Sequence, residues 1–217
     1  MYAGHGPIIG SRGRADPDPR KGEAPLARKK REPGITQIFG SESISKTDPR
    51  VRLLGDVDEL VAVLGLARSH VEHPGIDKVV RRIQTVLLAL GAEIADPKSR
   101  HGVIVTAEDA EMLYREADKL IKALPPLRNF VIPGGYPGAT TLHLARAVCR
   151  RAERSAHGLD ASQPLPRPVL DFLNGLSNLL FYMARWESHA AGEGDDLWLN
   201  PAPLAEGELD INSEGAG

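Results

Sequence analysis

The chain has 217 residues, with 27 lysines and arginines against 29 aspartates and glutamates and a net charge of −2. A balance so near neutrality gives no reason to expect nucleic acid or an anionic membrane as partner, so any anionic ligand must be held by a local cluster. The single cysteine, Cys149, cannot form an intrachain disulfide and falls inside a helical pattern, so the fold does not depend on an oxidising compartment. No apolar run approaches the ~20 residues of a membrane span, and the start has no signal-peptide-like apolar core. Asp16, Asp18 and Glu23 interrupt the basic residues that an organelle transit peptide needs, and the cytoplasm is the expected location.

Residues 1–33 are rich in Gly, Pro and Arg and end in the basic run Arg28-Lys29-Lys30-Arg31, a composition that cannot bury enough apolar surface to offset chain entropy. They read as a disordered or partner-ordered arm. The short apolar stretch Ile35 to Gly40 reads as a loop or edge-like segment. Helical periodicity then predicts a first helix from Asp48 to Val71, stopped by Pro74-Gly75, and a second from Asp77 to Ile94, closed by Asp96-Pro97. A third starts at Thr106, whose side chain can cap it, and ends before Pro125-Pro126. The loop Phe130-Val131-Ile132-Pro133-Gly134-Gly135 is too rich in Pro and Gly for helix. A fourth helix covers Thr140 to His157 and a fifth Pro168 to Ser188. With no convincing strand pattern, these segments predict an all-α five-helix bundle over residues 34–201, followed by a loose tail over 202–217.

The fourth helix carries the strongest chemical signal. At 100° per residue, His143, Arg146, Arg150, Glu153, Arg154 and His157 fall within roughly 100° of one face. Three guanidiniums on one stripe repel unless an anion or facing acids neutralise them, and a polyphosphate matches their forked donors. A solvated basic face with i,i+4 pairs is the alternative. Asp56 and Asp58 in Gly55-Asp56-Val57-Asp58-Glu59-Leu60 stand beside the apolar stripe of the first helix, where a buried carboxylate needs a cation, and Arg146 is the candidate. Asn174, Ser177 and Asn178 share a face suited to bonding a nucleotide or corrin amide. Phe130 stands beside glycines that permit close backbone approach to a ligand, although a lone Phe in such a loop also suits a core plug.

Together these segments resemble the PduO-type ATP:cob(I)alamin adenosyltransferases. The resemblance runs from Gly34 to Pro201 through Ser45-Lys46-Thr47-Asp48-Pro49-Arg50, the Gly55 to Leu60 block, Phe130 to Gly135, Arg150-Arg151-Ala152-Glu153-Arg154, Phe172-Leu173-Asn174 and Leu197-Trp198. It implies a homotrimer with sites between subunits, where ATP with Mg²⁺ is held by Gly34, Thr36, Lys46, Arg150, Glu153, Arg154 and Asn174. By the same resemblance Asp58 pairs with Arg146 across chains on the cobalamin side. Phe130 presses on the lower corrin face, displacing the axial base so that cob(II)alamin is reduced more easily. Asp58, Phe130, Arg146 and Arg150 are then the residues closest to catalysis. A cob(II)alamin reductase and an adenosylcobalamin-dependent mutase or dehydratase are the implied partners. The family's phosphate loop, T-x-T-G-D-x-G-x-T, departs here: Arg31 stands for its first glycine and Glu32 for its aspartate, while Gly34 and Thr36 remain. That departure, which predicts weaker ATP binding, keeps a second reading open, a diverged paralogue that binds corrinoid or nucleotide without transfer.

Overall fold

The computed structural model describes residues 32–38, 43–96 and 105–198. The expected arm, apart from Glu32 and Pro33, lies outside them, as does the expected tail at 202–217.

Caps and prolines set the helix starts. The Asp48 carboxylate accepts from the Arg50 N–H at 2.8 Å and caps α1 (Pro49–Arg68), with Pro49 at the first position, where its missing donor costs nothing. His73 caps α2 (Pro74–Ala95), its Nδ1 accepting from the Gly75 N–H at 3.2 Å. Thr106 and Asp109 bond reciprocally at the start of α3 (Ala107–Ala123), as the Thr106 signal predicts. Proline also stands in the first turn of α4 (Pro137–Asp160) and of α5 (Arg167–Ala190).

Four expectations shift. The first helix stops at Arg68 rather than Val71, because Ser69 Oγ donates to the Leu66 carbonyl at 2.7 Å and closes the last turn. Pro74-Gly75 opens α2 instead of ending α1, since proline suits a first turn. The fourth helix begins earlier, at Pro137, for the same reason. A small sheet also forms where no strand is expected: β1 (Ile35–Gln37) pairs antiparallel with β2 (Ser43–Ser45), Thr36 opposite Ile44. The Lys46 N–H donates to the Gly34 carbonyl at 2.8 Å and closes this hairpin.

Specific contacts define the helix directions. Gln84 Nε2 donates to the Val61 carbonyl at 2.9 Å and Arg68 Nε to Asp77 Oδ1 at 2.7 Å, so α1 and α2 are antiparallel. Asp56 meets Arg151, while His70, beyond the end of α1, meets Gly138 at the start of α4, so this pair is antiparallel too. Gly138 is needed there: an added Cβ would meet Glu187 Oε2 and the His70 carbonyl at 3.0 Å. Glu187 on α5, 2% exposed, accepts from the Glu72 and His73 N–H groups at 3.1 and 3.4 Å and locks the α1–α2 turn to α5.

Leu53, Leu60 and Leu64 of α1, Ile83, Leu87 and Leu90 of α2, Leu113 of α3 and Phe172, Leu173 and Leu176 of α5 fill the core. The inner face of α4 is small: Ala145, Cys149, Ala152 and Ala156 are fully buried, which lets α1 and α5 close on both of its sides. Cys149 Sγ donates to the Leu173 carbonyl at 3.4 Å, and burial pushes its thiol pKa far up, so it stays an inert packing group. No described helix is long and apolar enough to cross a membrane. Phe172→Ala is expected to lower stability by about 3–5 kcal/mol, read as a lower urea midpoint at unchanged slope.

Candidate active site

Because the small residues of α4 face inward, its arginines are carried on the outside. Arg150 and Arg154 are exposed, and Arg146 and Glu153 are half-buried. Among the described residues no carboxylate forms an ion pair with Arg146, Arg150 or Arg154. Arg146 lies 5.9 Å from the Phe181 ring centroid, and its Nε is buried without a hydrogen-bond partner among the described residues. Burial first, and then the charge of Arg150, lowers its pKa, so an incoming anion relieves both penalties. The i,i+4 ion pairs of the alternative reading do not form on these three arginines among the described residues, although Arg150 and Arg154 stand exposed.

His143 leaves the expected stripe. Only 5% exposed, it packs 6.0 Å from the Phe181 ring, and its Nδ1 has no partner among the described residues. Burial and the charge of Arg146, opposed by Asp195, bring its pKa down to about 4.

The two acids of α1 also part company. Asp58 is exposed and does not meet Arg146 within the chain, whereas Asp56 accepts from Arg151 Nε at 3.2 Å and from Ser155 Oγ. Glu59 takes the other arm of Arg151, and both bonds raise the pKa of that guanidinium. Arg151, outside the residues singled out from sequence, thus serves as the cation for the inward acid of α1. Its signal was present as Asp56 and Glu59 at i,i+3 and Arg151 and Ser155 at i,i+4, but the register between the two helices was needed to see it.

Beside this bridge a groove of about 640 Å³ is lined by Thr47, Arg52, Arg151 and Arg154, among others. Lys46 is exposed next to Thr47, and its N–H bonds the carbonyl of Gly34, which has φ +78°, a conformation suited to glycine. Thr36 is half-buried one step along β1. Arg31 lies outside the described residues.

On α5, Asn174 and Asn178 are exposed, but Ser177 is buried and donates to the Asn174 carbonyl at 3.0 Å, so the expected three-residue polar face has two members. The bond from Cys149 to Leu173 sets Asn174 level with Arg150. Phe130 is no core plug: it is 79% exposed. Its carbonyl accepts from the Trp198 N–H at 2.8 Å, and the two rings meet edge-on at 6.4 Å.

Three guanidiniums on one outer ridge with no ion pair to a carboxylate among the described residues, a cationic groove at one end and an exposed aromatic ring at the other are surfaces complementary to a polyanion and to an apolar face. The chain matches the model of the cobalamin adenosyltransferase family over residues 27–187, and it belongs to that family. A corrinoid adenosyltransferase of Mycobacterium bovis is 37% identical over 173 residues, which cover 76% of this chain and 88% of that protein. Corrinoid adenosyltransferase PduO of Citrobacter freundii is 33% identical over 168 residues, 75% of this chain but 49% of the relative, so this chain matches about half of that longer protein. A Phe-to-His variant of the PduO-type ATP:corrinoid adenosyltransferase from Lactobacillus reuteri, solved with cobalamin and ATP, superposes with a TM-score of 0.72 at 31% identity. The superposition covers 77% of this chain and 92% of that one.

The buried His143 makes stability depend on pH. Its folded pKa of about 4 lies below the ordinary 6.5, so as pH falls between these values the unfolded chain takes up a proton that the folded chain refuses. The contribution is intact above pH 6.5 and declines by up to about 1.4 kcal/mol per pH unit below it. Urea titrations at pH 7 and pH 5 should show a smaller loss for His143→Gln than for the native protein.

Proposed function

We propose that the protein transfers the 5′-deoxyadenosyl group of ATP to the cobalt of a reduced corrinoid and releases triphosphate. The observation that carries this reading is the α4 ridge of Arg146, Arg150 and Arg154, free of carboxylate partners among the described residues, in a member of this family. Cob(I)alamin is the nucleophile: its electron pair forms the Co–C bond at C5′ as the C5′–O bond breaks and triphosphate departs with that bond's electrons. No general base is required. Negative charge gathers on the leaving group, so guanidiniums already in place stabilise the transition state more than bound ATP.

Arg150 and Arg154 bond the phosphates, Asn174 bonds the nucleotide level with Arg150, and Gly34, Thr36 and Lys46 supply the hairpin side of the cradle. Mg²⁺ arrives on the triphosphate, with Glu153 the carboxylate on the arginine ridge. Phe130 offers its ring to the lower face of the corrin and keeps the axial base away, which eases reduction of cob(II)alamin. A reductase supplies that electron, and an adenosylcobalamin-dependent enzyme consumes the product. The cytoplasm is the setting we infer.

The reading also calls for more than one copy. Thr47, just after the hairpin, lines the groove with Arg151 and Arg154 in the C-terminal half of α4, while Phe130 precedes Pro137 at its start, which is about 20–25 Å away along the axis. C5′ must come within about 3–3.5 Å of the cobalt, so one chain's hairpin and its own Phe130 do not converge on one substrate pair. A neighbouring copy brings them together, and Asp58 of one chain against Arg146 of the next neutralises both. We infer a homotrimer, and a monomer by light scattering at micromolar concentration contradicts it.

The decisive assay incubates the protein anaerobically with reduced cobalamin and Mg-ATP and follows adenosylcobalamin; binding of both ligands without product marks a carrier instead. Arg150→Ala should weaken ATP use roughly ten- to a hundredfold through loss of a charge-assisted bond, leaving corrinoid binding nearly intact. Equal ATP affinity in the variant makes the arginine ridge structural.

A further inference from the structure

Phe130 is too exposed to be held by packing, so its position depends on what grips its backbone. Ile132 donates its N–H to the Asp196 carbonyl at 2.8 Å, Val131 bridges Leu197, and Trp198 donates to the Phe130 carbonyl at 2.8 Å. Asn129 Nδ2 adds a bond to the Trp198 carbonyl at 3.2 Å. The loop before α4 is therefore strapped to the segment after α5. Backbone bonds from Glu193 and Gly194 to the Ser188 carbonyl begin that strap, and further along its side-chain anchor on the bundle among the described residues is Arg185 of α5, a guanidinium only 4% exposed. Its Nε reaches both oxygens of Asp195 at 3.1 and 2.9 Å, and its Nη2 donates to Asp195 Oδ2 and to the Pro125 carbonyl, each at 2.8 Å. One planar group thus ties the strap at Asp195 and the foot of the Phe130 loop at Pro125 to a single point of the core. A lysine has no fork with which to hold both.

We propose that Arg185, through Asp195 and Trp198, is a positioning residue for Phe130, fixing the height of its ring against the corrin and so tuning the reduction of cob(II)alamin. The inference rests on the assignment of Phe130 to the lower corrin face. The buried ion pair is costly to keep, since two charges leave water, and an apolar pair in its place loses the grip on Pro125. Trp198 sets the ring from the side, and the edge-on contact restrains the rotation of an otherwise free phenyl group.

The test compares the full-length native protein with Asp195→Asn, Asp195→Glu, Trp198→Ala and Phe130→Ala. Three quantities are measured: ATP affinity, turnover from cob(II)alamin with a reductant and from chemically prepared cob(I)alamin, and the electron paramagnetic resonance signal of four-coordinate cob(II)alamin with ATP present. Asp195→Asn should lose about tenfold in turnover from cob(II)alamin together with part of the four-coordinate signal, while its ATP affinity and its turnover from cob(I)alamin stay within about twofold. Asp195→Glu should recover most of the loss, and adding Asp195→Asn to Phe130→Ala should cost nothing further. Trp198→Ala leaves the buried pair intact, so it tests the strap should Asp195→Asn fail to fold, and it too should lower the four-coordinate signal. Equal losses from both cobalt states, or a parallel fall in ATP affinity, make the clamp merely structural and overturn the proposal. If Phe130→Ala is selective for cob(II)alamin but Asp195→Asn and Trp198→Ala keep the native signal, the clamp alone fails. If Phe130→Ala shows no such selectivity, the Phe130 assignment falls and this inference falls with it.

Discussion

Three arginines on the outside of α4 with no ion pair to a carboxylate among the described residues are the constraint around which the bundle is arranged. Like charges one turn apart repel, and Arg146 adds a burial penalty to that repulsion. The chain accommodates them by making the opposite face of α4 small and wholly buried, with Ala145, Cys149, Ala152 and Ala156 packed between α1 and α5. The fold therefore resists turning this helix: rotation would expose the small stripe and bury guanidiniums. Specific pairs guard the register, with Asp56 on Arg151 at one flank and Cys149 on Leu173 at the other. On the α1 flank both Asp56 and Glu59 are committed to Arg151.

What could be read in the sequence follows from this division. The buried stripes of α2, α4 and α5 repeat at three and four residues, so periodicity located them; the cap at Thr106 is local chemistry and was legible as well, whereas Asp48 was read as the first helical residue and is the cap. Pro74 was misread because proline both stops and starts helices, and only the His73 cap decides between the two. The hairpin was missed because strands of three residues carry too little alternation to register. At the site, the ridge on α4 came from spacing within one element. Arg151 with Asp56, Phe181 with Arg146 and Trp198 with Phe130 each join different elements, and no within-helix period encodes such meetings.

Charge and apolar surface are also separated along the bundle axis. The cationic groove by Thr47 and Arg154 occupies the end that bears the hairpin, while Phe130, Trp198, Ile132 and Leu197 form an exposed apolar cluster towards the other. Arg146, the ridge member nearest the start of α4, lies over the Phe181 ring at 5.9 Å from its centroid. This polarity suits a pair of substrates with one anionic and one broad apolar face. It also explains why an ammonium would serve poorly at Arg146: a guanidinium stacks on Phe181 while keeping donors free for an anion.

The same separation bears on the choice between an enzyme and a carrier. A protein that only holds a corrin needs the aromatic end and gains nothing from unpaired arginines, whose mutual repulsion destabilises the folded chain whenever no anion is bound. Acids facing Arg150 and Arg154 would remove that penalty, and α1 already presents Asp58 and Glu59 on the neighbouring helix. Glu59 is instead spent on Arg151, and Asp58 is exposed and forms no ion pair with the ridge among the described residues. Keeping Arg150 and Arg154 uncompensated makes physical sense where their stabilisation is needed after binding, as charge builds on a departing triphosphate. At the hairpin, Gly34 has a left-handed backbone and accepts from the Lys46 N–H although Glu32 and Pro33 precede it, so these two residues leave the closure of the hairpin intact.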